Sequence, residues 1–337
     1  MKKIALGAIL VIVAAIALAF MSGSVRFGVH AYACQTDDEI AQAHRSALDD
    51  TAMAFVRTVL GPNPDAAYAI MTQEAQTSTT AEALGTKLKT IIRSSGPYKN
   101  AHVAHTYLIT GASTGQGAHA ICGSLANDGW VSVAIKPTLS QGYVVVSAQT
   151  KNNDWALTLW LLPAGNEWRV HYFHMGISSI VGRTPETLLS LARQERDSGH
   201  NFNATMLFAG LTGVIDRGPV FQLGIAQTAQ KEARDLERPS ELQGSPPFMW
   251  NLNGGEYTVA QISSIGVDNR LGLIFMLPQT SWTSEQDADT KNRAFITAFI
   301  ATHPDYSRVF SFLVARALKP DSSGGFGTVY DSEKGFD

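Results

Sequence analysis

The chain has little charge, little cysteine and no recognisable catalytic motif. Only 16% of its 337 residues are Asp, Glu, Lys or Arg, against about a quarter in an ordinary soluble domain. Wholesale disorder is excluded all the same, because it needs high charge and few apolar residues and this chain is 45% hydrophobic. Two cysteines exclude a disulfide-dense scaffold, and 29 glycines without a three-residue period exclude a collagen-like chain. No run of Lys and Arg occurs, so a phosphate backbone has no basic surface to meet and no nucleic acid is expected as a partner. There is no His-Glu-x-x-His helix. The chain does have length enough for two or three domains, each able to bury a core.

The apolar residues are concentrated at the start. Residues 4–21 hold no charged or strongly polar side chain and come directly after Lys2 and Lys3. Eighteen residues make a helix of about 27 Å, close to the hydrocarbon thickness of a bilayer. Residues 1–24 have two readings. As a signal anchor, the lysines stay in the cytoplasm, the chain crosses the bacterial inner membrane once, and the body lies in the periplasm. As a signal peptide cut after Ala17-Leu18-Ala19, the body is periplasmic or secreted, although Phe20-Met21 would prolong the apolar run past the cut. The anchor is favoured, which makes the cytoplasmic membrane a partner through residues 4–21, and both readings export the body. Without Lys2 and Lys3 the count is 24 basic residues against 29 acidic, a formal charge of −5. Cys34 comes after Ala33, but the Leu and the adjoining apolar run of a lipoprotein box are missing. An oxidising compartment permits a bond between Cys34 and Cys122; two unpaired thiols, with Cys122 packed in a strand, is the simpler expectation.

Helical spacing runs over residues 37–61 and ends at Gly61, Pro62 and Pro64. A second short helix is expected from Asp65 to about Ala75, and a third, capped by Thr80, carries Leu84, Leu88, Ile91 and Ile92 on one face. The period then changes to two, with strands expected at 103–109, 118–125, 130–135, 143–148, 155–161 and 168–174. Trp155, Leu157, Leu159 and Leu161 alternate, as do Trp168, Val170 and Tyr172, around the turn Pro163-Ala164-Gly165-Asn166. Helices leading into hairpin-connected strands make an α+β pattern. This order, closing on WALTLWLLPAGNEWRVHYFHMG at 155–176, resembles the nuclear transport factor 2-like (cystatin-like cone) superfamily over residues 38–178. The resemblance implies a curved antiparallel sheet wrapped as a cone around a pocket, which is an active site in some members and a binding site in many. No catalytic residue of the enzymatic members carries across position by position. The candidates to line such a pocket are Tyr107, Trp155, Trp168, Tyr172 and His174, the last titrating near neutral pH.

Residues 184–237 return to helical period. Leu191, Ala192, Gly199, Ala204 and Phe208 resemble the small and large positions of a single tetratricopeptide repeat at about 184–217, with Asp216 where the repeat prefers Pro. An ordinary helical hairpin is the simpler expectation, with a further helix at 220–236. The stretch ERPSELQGSPP at 237–247 reads as a linker. Residues 248–320 read as a β-β-α-β module. It has a hairpin of 257–265 and 271–277, a helix opened by Ser284 and Asp287, and a long strand at 306–318. Residues 321–337 read as a flexible tail.

Some motifs resemble active sites without the context these need. Thr110-Gly111-Ala112-Ser113-Thr114-Gly115-Gln116-Gly117 resembles the nucleotide fingerprint of short-chain dehydrogenases, in which glycines let a pyrophosphate approach a helix N-terminus. The family's Tyr-x-x-x-Lys is found only as Tyr330 and Lys334, and no β-α-β alternation comes after the glycines. The kinase-like SGGFGTVY at 323–330 has seven residues after it and is a chance match. His171 and His174, His102 and His105, and His119 and Cys122 are three apart, which on a strand sends them to opposite faces, so no metal is expected. No cofactor is expected either. Trp130, Trp155, Trp160 and Trp168 read as core, with Trp160 opposite Trp155. The function expected is that of an exported, membrane-tethered envelope protein, a non-enzymatic module that binds a protein or small molecule. The alternative is a hydrolase or isomerase using the cone pocket; more remote is a dehydrogenase-like nucleotide binder at Gly111 to Gly117.

Overall fold

A computed structural model describes residues 32–61, 63–111, 119–138, 140–321 and 323–336. The 4–21 run and residues 112–117 of the glycine motif lie outside the described residues. Among the described residues no helix is long and apolar enough to cross a membrane.

The architecture is mixed α+β. Strand β1 (Ala33–Thr36) and a 3-10 turn lead into helices α1 (Gln42–Leu60), α2 (Pro64–Ile70), α3 (Gln73–Ser78) and α4 (Ala81–Ser95). The side chains of Asn63, Thr72 and Thr80 accept hydrogen bonds from the N–H groups of Ala66, Ala75 and Ala83, capping α2, α3 and α4. The single helix expected from Asp65 to Ala75 is therefore two. Met71 leaves the helix to bridge Val170, and Thr72 starts a new one.

The six expected strands come next as β2 (Lys99–Thr110), β3 (His119–Cys122), β4 (Val131–Ala134), β5 (Ser140–Gln149), β6 (Asp154–Ala164) and β7 (Glu167–Ile177). Strands β1-β2-β5-β6-β7 form one antiparallel sheet. Its first face packs on the helices, with Leu48, Phe55, Val56 and Val59 against Val144, Val146, Leu157, Leu159 and Leu161. Its second face is covered by a smaller sheet of β3, β4 and a later strand, β8 (Phe221–Leu223). There Tyr107, Ile109, Tyr143, Val145 and Trp160 meet Cys122, Val131, Val133 and Phe221. Gly142 sits where any Cβ would overlap Leu48, so its missing side chain lets α1 lie close on β5.

Two expectations for this half are corrected. Trp168, Val170 and Tyr172 do not share a face. The register shifts between Trp160 and Leu161, opposite His171, so Trp168 and Val170 face the helices with Phe173 and Met175, while Tyr172 turns to the smaller sheet. The cysteines are not two free thiols. Cys34 pairs across from Ile109 at the far end of β2, which brings β1 beside β3, and Cys34 is bonded to Cys122 with a Cα–Cα separation of 5.4 Å.

The second half comprises α5 (Pro185–Asp197), α6 (Asn201–Ile215), the strand β8, α7 (Gly224–Asp235), β9 (Phe248–Leu252), β10 (Gly255–Val259), β11 (Gln261–Val267), β12 (Arg270–Pro278), α8 (Glu285–Thr302), β13 (Phe312–Leu318), β14 (Gly325–Asp331) and β15 (Gly335–Phe336). Strands β11 to β15 form a sheet in chain order, with β12 and β13 parallel and joined through α8. Ser284 caps α8 through the N–H of Asp287. The helix expected at 220–236 starts only at Gly224, because Phe221–Leu223 pairs with β4. The hairpin expected from residue 257 is two hairpins, β9 with β10 and β11 with β12. The strand expected at 306–318 begins at Phe312, because Pro304–Arg308 forms a 3-10 turn that buries Tyr306.

Residues 321–337 are not a loose tail. β14 pairs with β13 along Phe312–Leu318, and buried Thr328 donates to Asp289 Oδ1 at 2.7 Å while accepting from Asn292 Nδ2 at 3.1 Å. The 237–247 stretch is also tied down. Leu242 is buried, and Trp250 Nε1 donates to the carbonyl of Glu241 at 2.6 Å. One hydrophobic core runs from Ile180 through α5, α6 and α7 to β12, α8 and β13, so the helical region and the β-rich module share it.

The Cys34–Cys122 bond closes a loop of 88 residues, for which the chain-entropy model gives about 4–5 kcal/mol. A Cys34→Ala/Cys122→Ala variant should lose about 2–4 kcal/mol in urea unfolding at neutral pH; an unchanged midpoint contradicts this. Deleting residues 325–337 strips β13 of its partner and should lower the melting temperature of the second half. A truncated chain that melts like the full one would show that β14 adds nothing.

Candidate binding clefts

The five residues expected to line one pocket are divided by the sheet. Tyr107 and Tyr172 pack on the smaller-sheet side, with the Tyr107 ring edge-on to Phe221 at 5.7 Å. Trp168 belongs to the helix-side core. Trp155 meets Tyr98 edge-on at 5.5 Å, its indole N–H buried without a hydrogen-bond partner. His174 lies under the chain that leaves α6. Its Nε2 is 3.7 Å from Asp216 Oδ2, and burial holds the imidazole below its usual range, partly offset by Asp216. Arg217 beside it donates to the carbonyls of Val214, Asp216 and Ile177, satisfying the end of α6. Thr158 stands opposite His174 on the neighbouring strand and is fully buried.

The space between helices and sheet is filled. Phe55, Val59, Leu157, Leu159, Leu161 and Val170 all have zero exposure. The acidic contribution from the helices is Asp49, which accepts from Thr106 Oγ1 at 2.6 Å and lies 3.7 Å from Arg45 Nε. The glycine motif leaves β2 and the chain re-enters as strand β3, with no helix at its described end.

Small open concavities lie outside that filled space, one of about 170 Å³ by Pro64, Leu88 and Ile92 and one of about 230 Å³ by Gly96, Lys99 and Thr150; two larger than these lie in the second half, on the two sides of the 236–242 connection. The first, about 290 Å³, is lined by Met206, Phe208 and Ala209 of α6, Leu242, Phe248 of β9 and Ile262 of β11. Thr205, Phe208, Ala209 and Thr212, three and four residues apart, share one side of α6, and the alternation of β9 turns Phe248 inward. Its cation is Arg238, an exposed side chain whose guanidinium has no hydrogen-bond or ion-pair partner among the described residues.

The second cleft, about 250 Å³, lies between the α5–α6 turn and the end of α8 and has His200, His303 and Asp305 in its lining. His200 Nδ1 is 3.1 Å from Glu195 Oε2, and His303 Nε2 is 2.8 Å from Glu241 Oε1. Glu195 is buried and also accepts from Asn203 Nδ2 at 2.8 Å and Arg308 Nε at 3.4 Å, which ties α5, α6 and the Pro304–Arg308 turn together. His303 packs its ring 4.5 Å from Phe202 and 4.9 Å from Phe299. The His303 imidazole, helped by the Ser240 hydroxyl, holds the Glu241 carboxyl down to about 2. Among the described residues neither imidazole is hydrogen-bonded to a hydroxyl, and no three His, Cys, Asp or Glu side chains gather to hold a metal ion. The arrangement can hold two carboxylate–imidazole pairs in place.

Sequence reasoning passes over both clefts. Their walls come from residues spread over 199–306, and the histidines that matter sit at element ends, with no short spacing to mark them. No family model, no curated protein and no solved structure matches this chain.

The Glu241 carboxyl is more acidic in the fold than its ordinary value of 4.5, so its ionised form stabilises the native state. That contribution is complete above about pH 4.5 and is lost as pH falls toward 2. Glu241→Gln should flatten the acid limb of the stability profile over this window, read by urea unfolding at stepped pH. An acid limb identical to wild type contradicts the pairing.

Proposed function

We propose that the chain is an exported protein of the bacterial cell envelope, tethered to the inner membrane by residues 4–21, whose body is a non-enzymatic binding module. Its first half is read as a cone of the nuclear transport factor 2-like kind. The support is four helices on one face of an antiparallel sheet with register breaks in β2 and β7. The smaller sheet on the other face is an addition to that pattern. Export is supported by the Cys34–Cys122 bond, which belongs in an oxidising compartment.

The observation that carries the binding reading is the filled interior. Apolar side chains fill the space between helices and sheet in the first half, and an open apolar concavity runs instead along α6 with Arg238 at its rim. A cleft of about 290 Å³ takes one alkyl chain or one large apolar side chain, and an unpaired guanidinium favours an anionic group beside it. The ligand class is thus an amphipathic anion, from a lipid or from an envelope protein.

Two measurements test this. In whole cells, a membrane-impermeant maleimide should label Met249→Cys, an exposed position, without permeabilisation. Labelling that needs permeabilised cells contradicts export. For the cleft, a fluorescent fatty acid should bind the purified chain, and Ala209→Glu, on an exposed wall position, should weaken it at least about tenfold, or about 1.4 kcal/mol, with no change in melting temperature. Equal binding by the variant would move the ligand elsewhere.

A further inference from the structure

The strongest unexplained feature outside the clefts is a small apolar patch at the point where the described chain begins. Six large hydrophobic side chains are exposed among the described residues, and three of them, Tyr32 (36%), Ile121 (41%) and Leu125 (67%), belong to this one corner. They are joined by structure as well as by position. The Ile121 N–H donates to the Tyr32 hydroxyl at 2.9 Å, and the Cys34–Cys122 bond locks β1 to β3 two residues from Tyr32 and one from Ile121. Leu125 stands in the connection after β3. Residues 119–127 contain no Asp, Glu, Lys or Arg, and the first charge beyond them, Asp128, is turned away to accept from Thr228 Oγ1 at 2.8 Å.

We infer that this corner is a lipid-facing surface, seated on the bilayer that the 4–21 segment enters. The inference rests on the anchor reading above and goes beyond it, because a tether alone leaves the body free to tumble. The length of the intervening chain is the argument. Ten residues, 22–31, separate the apolar run from Tyr32 and reach at most about 35 Å when fully extended. The corner is therefore held within a few tens of ångströms of the membrane. Its side chains are of the kind that gain by entering the interface: a tyrosine with its ring exposed, and two branched aliphatics with no charge to desolvate. The disulfide makes the contact stiff, since β1 carries the tether and β3 carries Ile121 and leads to Leu125. Lipid contact at this corner would set the orientation of the body and direct the clefts of the second half.

The test uses the full chain in nanodiscs of phosphatidylethanolamine and phosphatidylglycerol, with a spin label at Leu125→Cys and, in a separate sample, at Met249→Cys. Both positions are well exposed, at 67% and 70%, so neither substitution threatens the fold. Relaxation by oxygen and by a water-soluble nickel chelate gives a depth for each label. The expected result is a shift at Leu125 toward oxygen, at headgroup or shallower acyl depth, with the Met249 label remaining as open to nickel as a water-exposed site. Adding Ile121→Glu to the Leu125 sample should return that label to aqueous values. The proposal is overturned if the Leu125 label matches the Met249 label while the chain stays in the disc. It is also overturned if the Leu125 label is shielded only by a second copy, seen as dipolar broadening that persists without lipid. A chain that does not stay in the disc at all overturns the anchor reading itself, and is told apart by its absence from the disc fraction.

Discussion

The five-stranded sheet β1-β2-β5-β6-β7 is buried on both faces, and the rest of the chain answers to that demand. A sheet with one wet face needs one covering layer; this one needs two. Helices α1 to α4 supply the first. The second is β3-β4-β8, and its last strand is drawn from beyond α6. The two halves are thus fastened by a strand of three residues, as well as by α6 packing near β7. The disulfide closes the same layer from the other side, linking the first strand of the large sheet to the first strand of the small one.

This double burial explains why apolar side chains fill the space between the large sheet and its two covering layers. The central residues of β5 and β6, 141–146 and 156–161, are buried whichever way they point, and burying a charge in either layer would cost several kcal/mol unless paired. The polar groups that do enter include the hydroxyls of Thr106 and Thr158 and the amide of Gln141, which accepts from Trp160 Nε1 at 3.1 Å. Burial pushes the His174 imidazole below its usual range, partly offset by Asp216, and its Nε2 has no hydrogen-bond partner among the described residues. The sheltered carboxylate–imidazole pairs Glu195–His200 and Glu241–His303 lie in the second half, where α5, α6, α8 and the 236–242 connection meet at their ends. Element ends carry unpaired backbone groups and admit water, so charged side chains are less costly there.

Features with a regular local period are legible in the sequence, and features that depend on a distant partner are concealed. The helix caps at Thr80 and Ser284, the strands of the 103–174 region and the turn at Gly165 are all legible, because each is set by neighbours within a few residues. The side of the sheet that Tyr172 faces is not, because a single extra residue at His171 inverts the alternation, and nothing in the composition of Val170-His171-Tyr172 marks a bulge. Phe221–Leu223 merges into a helical pattern because three residues carry no period, and only its pairing with β4 makes it a strand. The tail from Gly325 reads as loose because its glycines mask a strand whose stability comes from β13. The Cys34–Cys122 bond depends on β1, a strand too short to be read. The clefts are illegible for the same reason, since each wall is assembled from four or more elements.

Amide hydrogen exchange along the whole chain tests the central claim, a sheet closed on both sides, most directly. The account predicts that the central amides of β5 and β6, from Val144 to Val146 and from Leu157 to Leu159, exchange only through global unfolding, while those of the 236–247 connection exchange faster. Exchange in β5 and β6 at the rate of a surface loop would mean an open, wetted interior. That result would return the functional site to the first half of the chain.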